Sequence, residues 1–397
     1  MVTTMKLTSG VAVLKAMAIG FGISVSGAVS AELIFEENFD EIPDWHSELP
    51  ENNLGYLPRD EPDTAQYQGI HNIPEGWHAV RQDPTWSPIK GYPDRHPVIE
   101  ILSSNADKAR GGTGKSFVTW RDSYDPGWNR FNSDGIFFYR LPGDGLEEVY
   151  VEFWVTFSNE VIESYYTDRM GSSKLLRFLS HDAPDDFDYP DWWNFFDGNH
   201  TPMYLWGVGG ETTYGIRNYI SIYRMDGGEP LNDNIKGLPQ EMRSSGDNSL
   251  WYSPTATDGQ GIGGTNPALT DYRDGGVIES GPVALDQVFG DEKTWVKVGQ
   301  YVKINSAPGV ADGELHHYLD GKRILHLTGI EWVTPEQNMK KWNLIGIGGN
   351  DFFQGYENSL RHEEWYAIDD FSVYSSLPAA LTSDGAAPNP PPTVSAD

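Results

Sequence analysis

The sequence contains no cysteine among its 397 residues, which excludes disulfide bonds and catalysis by a thiol. Basic residues are also few: 28 lysines and arginines stand against 58 aspartates and glutamates, and the formal net charge is −30 at pH 7. A surface of that sign repels nucleic acid and anionic lipid, so we expect neither as a partner. Stability must therefore come from a large core, with bound metal ions as a further source.

Long apolar runs are scarce as well. The clearest, from Ala16 to Val29, follows Lys6 and Lys15 and precedes the small residues Ser30 and Ala31. It is too short to span a bilayer, and this arrangement is typical of a signal peptide. We therefore predict a signal peptide over residues 1–31 and a secreted protein, extracellular or periplasmic. No other stretch predicts a membrane span.

The sequence also lacks a long stretch with the 3.6-residue period of a helix. It is instead rich in aromatic residues (14 Trp, 20 Tyr and 17 Phe) and in turn formers (43 Gly and 26 Pro), which favours short strands and many turns. We predict an all-β domain over residues 32–377. A Gly- and Asp-rich segment at about 226–291 reads as a long loop excursion. The Pro- and Ala-rich tail, 378–397, is expected to be a linker or disordered.

Three consecutive strands are indicated between Thr294 and Leu325, separated by Asp312-Gly313 and Asp320-Gly321 turns. A Trp-led strand ending in VKIN, a DG turn and a strand closed by DGK resemble the concanavalin A-like lectin and glucanase superfamily, in the form seen in polysaccharide lyases of the alginate and glucuronan lyase type. The resemblance implies a jelly-roll sandwich of two antiparallel sheets and a polysaccharide partner. We expect a monomer.

Strand alternation separates core from exposed positions. In 147–157, Val149, Val151, Phe153 and Val155 share a face that suits a core. The opposite faces of this and neighbouring strands carry aromatic and charged side chains of the kind that bind sugars, since rings stack on pyranoses and charges pair with hydroxyls or carboxylates. The interpretation as an ordinary solvated sheet face stays open. The candidate substrate-binding residues are Tyr150, Trp154, Arg177, Trp206, Tyr301 and Lys303.

The lyase resemblance also implies catalytic residues. β-Elimination from a uronic acid polymer needs a cation beside the C5 carboxylate, a base for the C5 proton and an acid for the departing O4. The segments that match the family pattern are Ser173–Arg177, Tyr204–Gly207 and Arg217–Tyr223. By that analogy Lys174 and Arg217 neutralise the carboxylate and Tyr219 or Tyr223 serves as base and acid. His181 is a reserve proton carrier.

Calcium is the metal that the resemblance indicates. Glu37, near the predicted mature N-terminus, and Asp369, near the end of the domain, occupy segments that resemble the adjacent terminal strands of the superfamily, where a structural Ca²⁺ is often shared. Acidic strand ends without a metal are an equal alternative. Zinc is not expected, because the adjacent His316 and His317 must lie on opposite faces of one strand.

Two other classes of function remain open on the same fold. One is a non-catalytic carbohydrate-binding protein or a structural surface protein, because fold does not decide function. The other is a glycoside hydrolase, for which Glu148 and Glu152 are the candidate carboxylate pair because they share a strand face. No Glu-x-Asp-x-Glu triplet is present to favour hydrolysis.

Overall fold

The structure is a computed structural model of the chain. It describes residues 31–47, 73–82, 96–122, 131–164, 172–187, 200–211, 215–224, 234–236, 249–252, 271–273, 276–278, 293–352 and 363–382. The predicted signal peptide lies outside the described residues apart from Ala31. Within the described residues no helix is long and apolar enough to cross a membrane.

Strands dominate the described part of the chain. They are β1 (Leu33–Glu37), β2 (Trp45–His46), β3 (Ala79–Gln82), β4 (Ile99–Ile101), β5 (Phe117–Asp122), β6 (Phe131–Arg140), β7 (Glu148–Phe157), β8 (Ser172–Leu179), β9 (Met203–Glu211), β10 (Gly215–Tyr223), β11 (Ser249–Tyr252), β12 (Asp271–Arg273), β13 (Gly276–Ile278), β14 (Val296–Lys303), β15 (Gly313–Leu319), β16 (Lys322–Ile330), β17 (Leu344–Phe352) and β18 (Glu363–Tyr374). Helical structure in the same ranges comprises α1 (Asn159–Ser164), α2 (Ala379–Thr382) and a 3-10 helix over Ser103–Lys108.

The strands form two antiparallel sheets. Sheet A has the order β16-β15-β14-β7-β18-β5-β4-β2, and β1 also pairs with β18. Sheet B has the order β11-β10-β9-β8-β17-β6-β3, while β12 and β13 pair with each other. The prediction of an all-β jelly-roll sandwich is therefore confirmed. The predicted run of hairpins is confirmed too: β14, β15 and β16 are consecutive neighbours, and Asp320 and Gly321 have φ angles of 47° and 78°, as a tight hairpin turn requires.

The main core lies between the two sheets. Val149, Val151, Phe153 and Val155 of β7 are fully buried there, as their alternation predicts. The Phe153 ring lies 5.9 Å from the ring of Trp206 on β9, which places side chains of both sheets in one apolar cluster. We call the face of each sheet turned away from this core its outer face.

Several buried polar side chains form hydrogen bonds within the core. The Tyr204 hydroxyl of sheet B donates to Oε1 of Gln300 in sheet A at 2.7 Å, and Trp206 Nε1 donates to Asn218 Oδ1 at 3.0 Å. His317 is also fully buried, with its ring 5.7 Å from that of Trp206. Burial lowers the pKa of His317 well below its usual value, because the charged imidazolium is disfavoured away from water.

Parts of the expected loop excursion and tail belong to the sandwich. In segment 226–291, β11 pairs with β10 at the edge of sheet B, and Ile235 is buried in the main core. In segment 378–397, α2 is ordered and Leu381 packs against a cluster of Tyr150, Tyr301 and Tyr318, which we call the tyrosine cluster. The predicted linker or disordered tail therefore begins with a short helix, while 383–397 lie outside the described residues.

Candidate active site

The outer face of sheet B carries a cross-strand row that joins two of the predicted catalytic positions. Lys174 on β8 pairs with Gly207 on β9, and Gly207 pairs with Tyr219 on β10. Adjacent Cα atoms in such a row are about 5 Å apart, so Lys174 and Tyr219 flank Gly207 with about 10 Å between their Cα atoms. Arg217 follows in the next position on that face, opposite Gly209. The backbones of Arg217 and Tyr219 are described, but their side chains lie outside the described residues.

A β-bulge in β8 places Lys174 in this row. The register with β9 shifts between Lys174 and Leu176, so that Leu175 is an extra residue, and both leucines are fully buried in the core. Without the extra residue, Lys174 and Leu176 would share the core face, because they are two positions apart on one strand. The bulge therefore turns a half-buried lysine toward the outer face. Bulges often re-aim side chains at active sites.

Gly207, in the middle of the row, packs closely against the neighbouring strand. A Cβ atom at this position would lie 2.1 Å from the carbonyl oxygen of Ser173 on the neighbouring strand. The close approach of the two backbones therefore requires glycine here. The row consists of a cation, a buried glycine and a tyrosine position, in that order.

Arg177 lies one position further along the outer face, but it is only 1% exposed. Its guanidinium Nη1 donates to the carbonyl oxygen of Gly348 on β17 at 2.8 Å. A Cβ atom at Gly349 would lie 3.0 Å from the same Nη1, so the guanidinium packs closely on this glycine-rich strand. Arg177 thus supports the sheet, and its predicted role as a direct substrate-binding residue is wrong.

Tyr223 and His181 lie at the other end of the face. Tyr223 pairs with Met203 and packs on the apolar cluster that contains Met203 and Leu179. Four residues along an extended strand separate it from Tyr219 by about 13 Å. His181 follows β8, is 2% exposed, lies 4.3 Å from the His200 ring and accepts a hydrogen bond from the Ala183 backbone at Nδ1. The structure does not bring Tyr223 or His181 to Lys174.

Trp206 lies on the opposite side of sheet B from the Lys174 row. It is fully buried between the sheets, where it contacts Phe153 and His317. A ring in that position cannot stack on a sugar, so the prediction of Trp206 as a substrate-binding residue is wrong. The β9 alternation explains its position, because its neighbour Gly207 takes the outer face.

The four remaining substrate-binding candidates lie on the outer face of sheet A and cannot share one ligand with the Lys174 row. The Tyr150 hydroxyl donates to Glu152 Oε2 at 2.9 Å, and the Tyr301 hydroxyl donates to Glu148. Burial is the main cause that raises the pKa of both tyrosines. These contacts also occupy the carboxylates considered for hydrolysis. Trp154 lies under the guanidinium of Arg110, 4.1 Å from the ring centroid, and the Lys303 amine pairs with Glu314 at 3.0 Å.

The same outer face holds a cluster that the sequence reasoning missed. Glu314 and His316 of β15 and His326 of β16 have potential metal-ligating atoms that all lie within 4.8 Å of one another. We call these three residues the His-Glu cluster. His316 and His317 occupy opposite strand faces, as predicted. The expectation against a zinc site did not consider His326, which pairs with His316 across the hairpin.

The terminal strands are adjacent, as the calcium interpretation requires. Glu37 on β1 pairs with Phe371 on β18, two residues from Asp369. Burial raises the pKa of the Asp369 carboxyl to about 7, and the charge of Asp40 acts in the same direction. Burial also raises the pKa of Glu37, where Asp40 again contributes. These crowded oxygen donors have the chemistry that calcium prefers. They do not converge as a group of three within the described residues, so an ion would need backbone or water oxygens too.

Comparisons with known proteins return similar folds at low identity. No protein-family model matches the sequence, and no curated protein matches it. A solved complex of the alginate lyase Aly36B with an alginate tetrasaccharide is 12% identical, with a TM-score of 0.40, over 85% of this chain and 95% of that one. The marine PL-14 alginate lyase from Aplysia kurodai is 11% identical, with a TM-score of 0.35, over 70% and 86%. The laminarinase catalytic domain from Thermotoga maritima is 9% identical, with a TM-score of 0.33, over 88% and 99%. The strand pairing described above defines the sandwich independently of these similarities.

Proposed function

We propose that the chain is a secreted polysaccharide lyase that cleaves a uronic acid polymer by β-elimination on the outer face of sheet B. The observation that carries the proposal is the bulge at Leu175, which brings Lys174 into one cross-strand row with Gly207 and Tyr219. A lysine on a half-buried sheet face is more often solvated than catalytic. The bulge favours a catalytic role for Lys174, because it breaks the regular pairing of β8 with β9 and places the lysine beside a tyrosine position.

The row supplies the chemical groups that the elimination needs. Lys174 and Arg217 would neutralise the C5 carboxylate of a sugar bound along this row, which makes the C5 proton more acidic. Tyr219, as a phenolate, would take that proton and return it to the departing O4 as the C4–C5 double bond forms. One tyrosine would serve as both base and acid, because Tyr223 lies about 13 Å further along the strand.

A structural calcium ion belongs to the same proposal. Glu37 and Asp369 would supply carboxylate oxygens between the terminal strands, with Asp40 close to both. A bound Ca²⁺ would screen these three negative charges and hold β1 against β18. This region lies at the chain ends and takes no part in the proposed elimination.

The test measures the double bond itself. Purified protein, with Ca²⁺ present, is mixed with alginate, glucuronan, pectic and glycosaminoglycan polymers, and ultraviolet absorbance of the unsaturated product is followed. We expect a rise with one polymer class. Tyr219→Phe and Lys174→Met should each lower kcat by at least about 100-fold, the scale expected for loss of an acid-base group or a charge-stabilising group.

Lys297→Met is the matched control for Lys174→Met. Lys297 is on the outer face of sheet A, where its amine pairs with Glu152 at 2.6 Å, so its removal should leave kcat within about twofold. If no polymer gives absorbance and no reducing ends appear, the lyase proposal is wrong, and carbohydrate binding without catalysis becomes the better hypothesis. Equal losses in Lys174→Met and Lys297→Met would also contradict the assignment.

A further inference from the structure

The His-Glu cluster sits on the β15–β16 hairpin at the edge of sheet A, on the other sheet from the proposed elimination site. Glu314 and His316 are two residues apart on β15 and therefore share a face. His326 is directly opposite His316 on β16, with the two rings 4.2 Å apart at an interplanar angle of 80°. One ligand atom from each of the three residues lies within 4.8 Å of the other two.

A second bulge creates this arrangement. The register between β15 and β16 shifts next to His317, so that Ile324 is an extra residue and both Ile324 and Leu325 are buried in the core. A hairpin counted regularly from the Asp320-Gly321 turn would pair His316 with Leu325. The bulge brings His326 to that place instead, between the core residues Leu325 and Leu327.

Neighbouring groups hold His316 in position. The residue is 4% exposed, and its Nδ1 is 3.1 Å from the Tyr318 hydroxyl. Its other ring nitrogen, Nε2, faces Glu314 Oε2 at 3.3 Å. The second oxygen of Glu314 is held by the Lys303 amine at 3.0 Å. An imidazole fixed by a hydrogen bond at one nitrogen, with the other directed at a carboxylate and a second imidazole, is oriented as metal-binding histidines are.

We propose that Glu314, His316 and His326 bind a divalent transition-metal ion, for which Zn²⁺ is the first candidate. Two imidazoles and a carboxylate suit zinc rather than calcium, which prefers an all-oxygen shell. Three protein ligands leave a fourth position for water. The ion joins β15 to the edge strand β16, so it stabilises the outermost hairpin of sheet A. This site is independent of the proposed lyase activity.

The test uses the full chain without its signal peptide, stripped of metal and kept in excess Ca²⁺ so that carboxylate sites on the acidic surface are filled. Co²⁺ is titrated as a spectroscopic probe and Zn²⁺ is titrated by calorimetry. We expect one Co²⁺ per chain with visible d–d absorption, displacement of Co²⁺ by Zn²⁺, and a higher Tm with Zn²⁺. His326→Ala and Glu314→Gln should each remove the absorption band and the Tm shift.

Two further variants distinguish a preorganised metal site from nonspecific metal binding by histidine and carboxylate groups. Tyr318→Phe keeps all three ligands but removes the hydroxyl beside His316, so it should weaken metal binding by about 10- to 100-fold. His78→Ala removes a histidine that lies 3.8 Å from Asp185, outside the cluster, and should bind metal as the wild type does.

Absence of saturable binding in the wild type would overturn the proposal. It would also be overturned if folded His326→Ala and Glu314→Gln proteins, checked by circular dichroism, bound Co²⁺ as tightly as the wild type. His326 is only half-buried on an edge strand, so its replacement is expected to leave the fold intact. Glu314→Gln provides a nearly isosteric second variant.

Discussion

The buried His317 should make the stability of the protein depend on pH. Its side chain is fully buried on the core face of β15, and burial lowers its pKa well below the usual value. In the unfolded chain the pKa returns to about 6.5. Above that pH both states are neutral and His317 contributes no pH dependence. As the pH falls below it, the unfolded state takes up a proton that the folded state does not, so stability is lost.

The size of the effect follows from proton linkage. The free energy of unfolding should fall by about 1.4 kcal/mol for each pH unit below 6.5, as long as the folded pKa is not reached. Between pH 7 and pH 5 the integrated loss is about 2 kcal/mol. Other histidines and carboxyl groups also titrate in this range, so the total pH dependence of the protein alone cannot isolate His317.

Comparison with His317→Leu isolates it, because leucine has a similar volume and no ionisable group. Urea unfolding of both proteins, followed by tryptophan fluorescence at pH 7 and pH 5, gives the difference in their free energies of unfolding at each pH. Ionisable groups that the two proteins share contribute equally to both free energies of unfolding, so they cancel in the difference. We expect the difference to shift by about 2 kcal/mol in favour of leucine at pH 5. A difference constant to within about 0.5 kcal/mol would refute the reasoning.

Three further outcomes are expected. Tyr204→Phe should lower the free energy of unfolding by about 1–3 kcal/mol, measured in urea, because the buried Gln300 loses the hydroxyl that bonds it across the sandwich. Leu381→Ala should cost about 1 kcal/mol in the same assay, since this half-buried side chain packs on the tyrosine cluster; no loss would mean that α2 does not dock in solution. Calcium at about 100 times its Kd should stabilise the wild type by about 2.7 kcal/mol in thermal unfolding, whereas Asp369→Ala should show no response. An equal response in both proteins would exclude Asp369 as a ligand.

Much of the fold follows from local patterns that the sequence displays. Alternation of apolar residues predicts the core face of β7, and the Asp320-Gly321 turn predicts the β15–β16 hairpin. The adjacency of the terminal strands came from the family resemblance. The core face and the hairpin depend on residue type at a fixed spacing, so they can be predicted from the sequence alone.

Both candidate sites on the sheets depend on something the spacing does not show. A bulge adds one residue to a strand, and a one-residue change of register moves every later side chain to the opposite face. Lys174 shares the outer face with Tyr219 only because Leu175 is extra, and His326 meets His316 only because Ile324 is extra. In each case the only sign of the bulge in the sequence is a pair of adjacent apolar residues, and the structure buries both of them. The Trp206 assignment failed for a simpler reason: a tryptophan beside a glycine can take either face.

The position of β18 affects how the protein can be made. This last strand pairs with β7 along one edge, and with β5 and then β1 along the other. Until residues 363–374 have been synthesised, sheet A consists of two separate pieces, β16-β15-β14-β7 and β5-β4-β2, with β1 unpaired. Each piece would expose the strand edge that β18 covers in the folded protein. Folding on the ribosome therefore cannot finish before residues 363–374 have emerged, and until then the unpaired strand edges of the nascent chain are exposed to pairing with other chains.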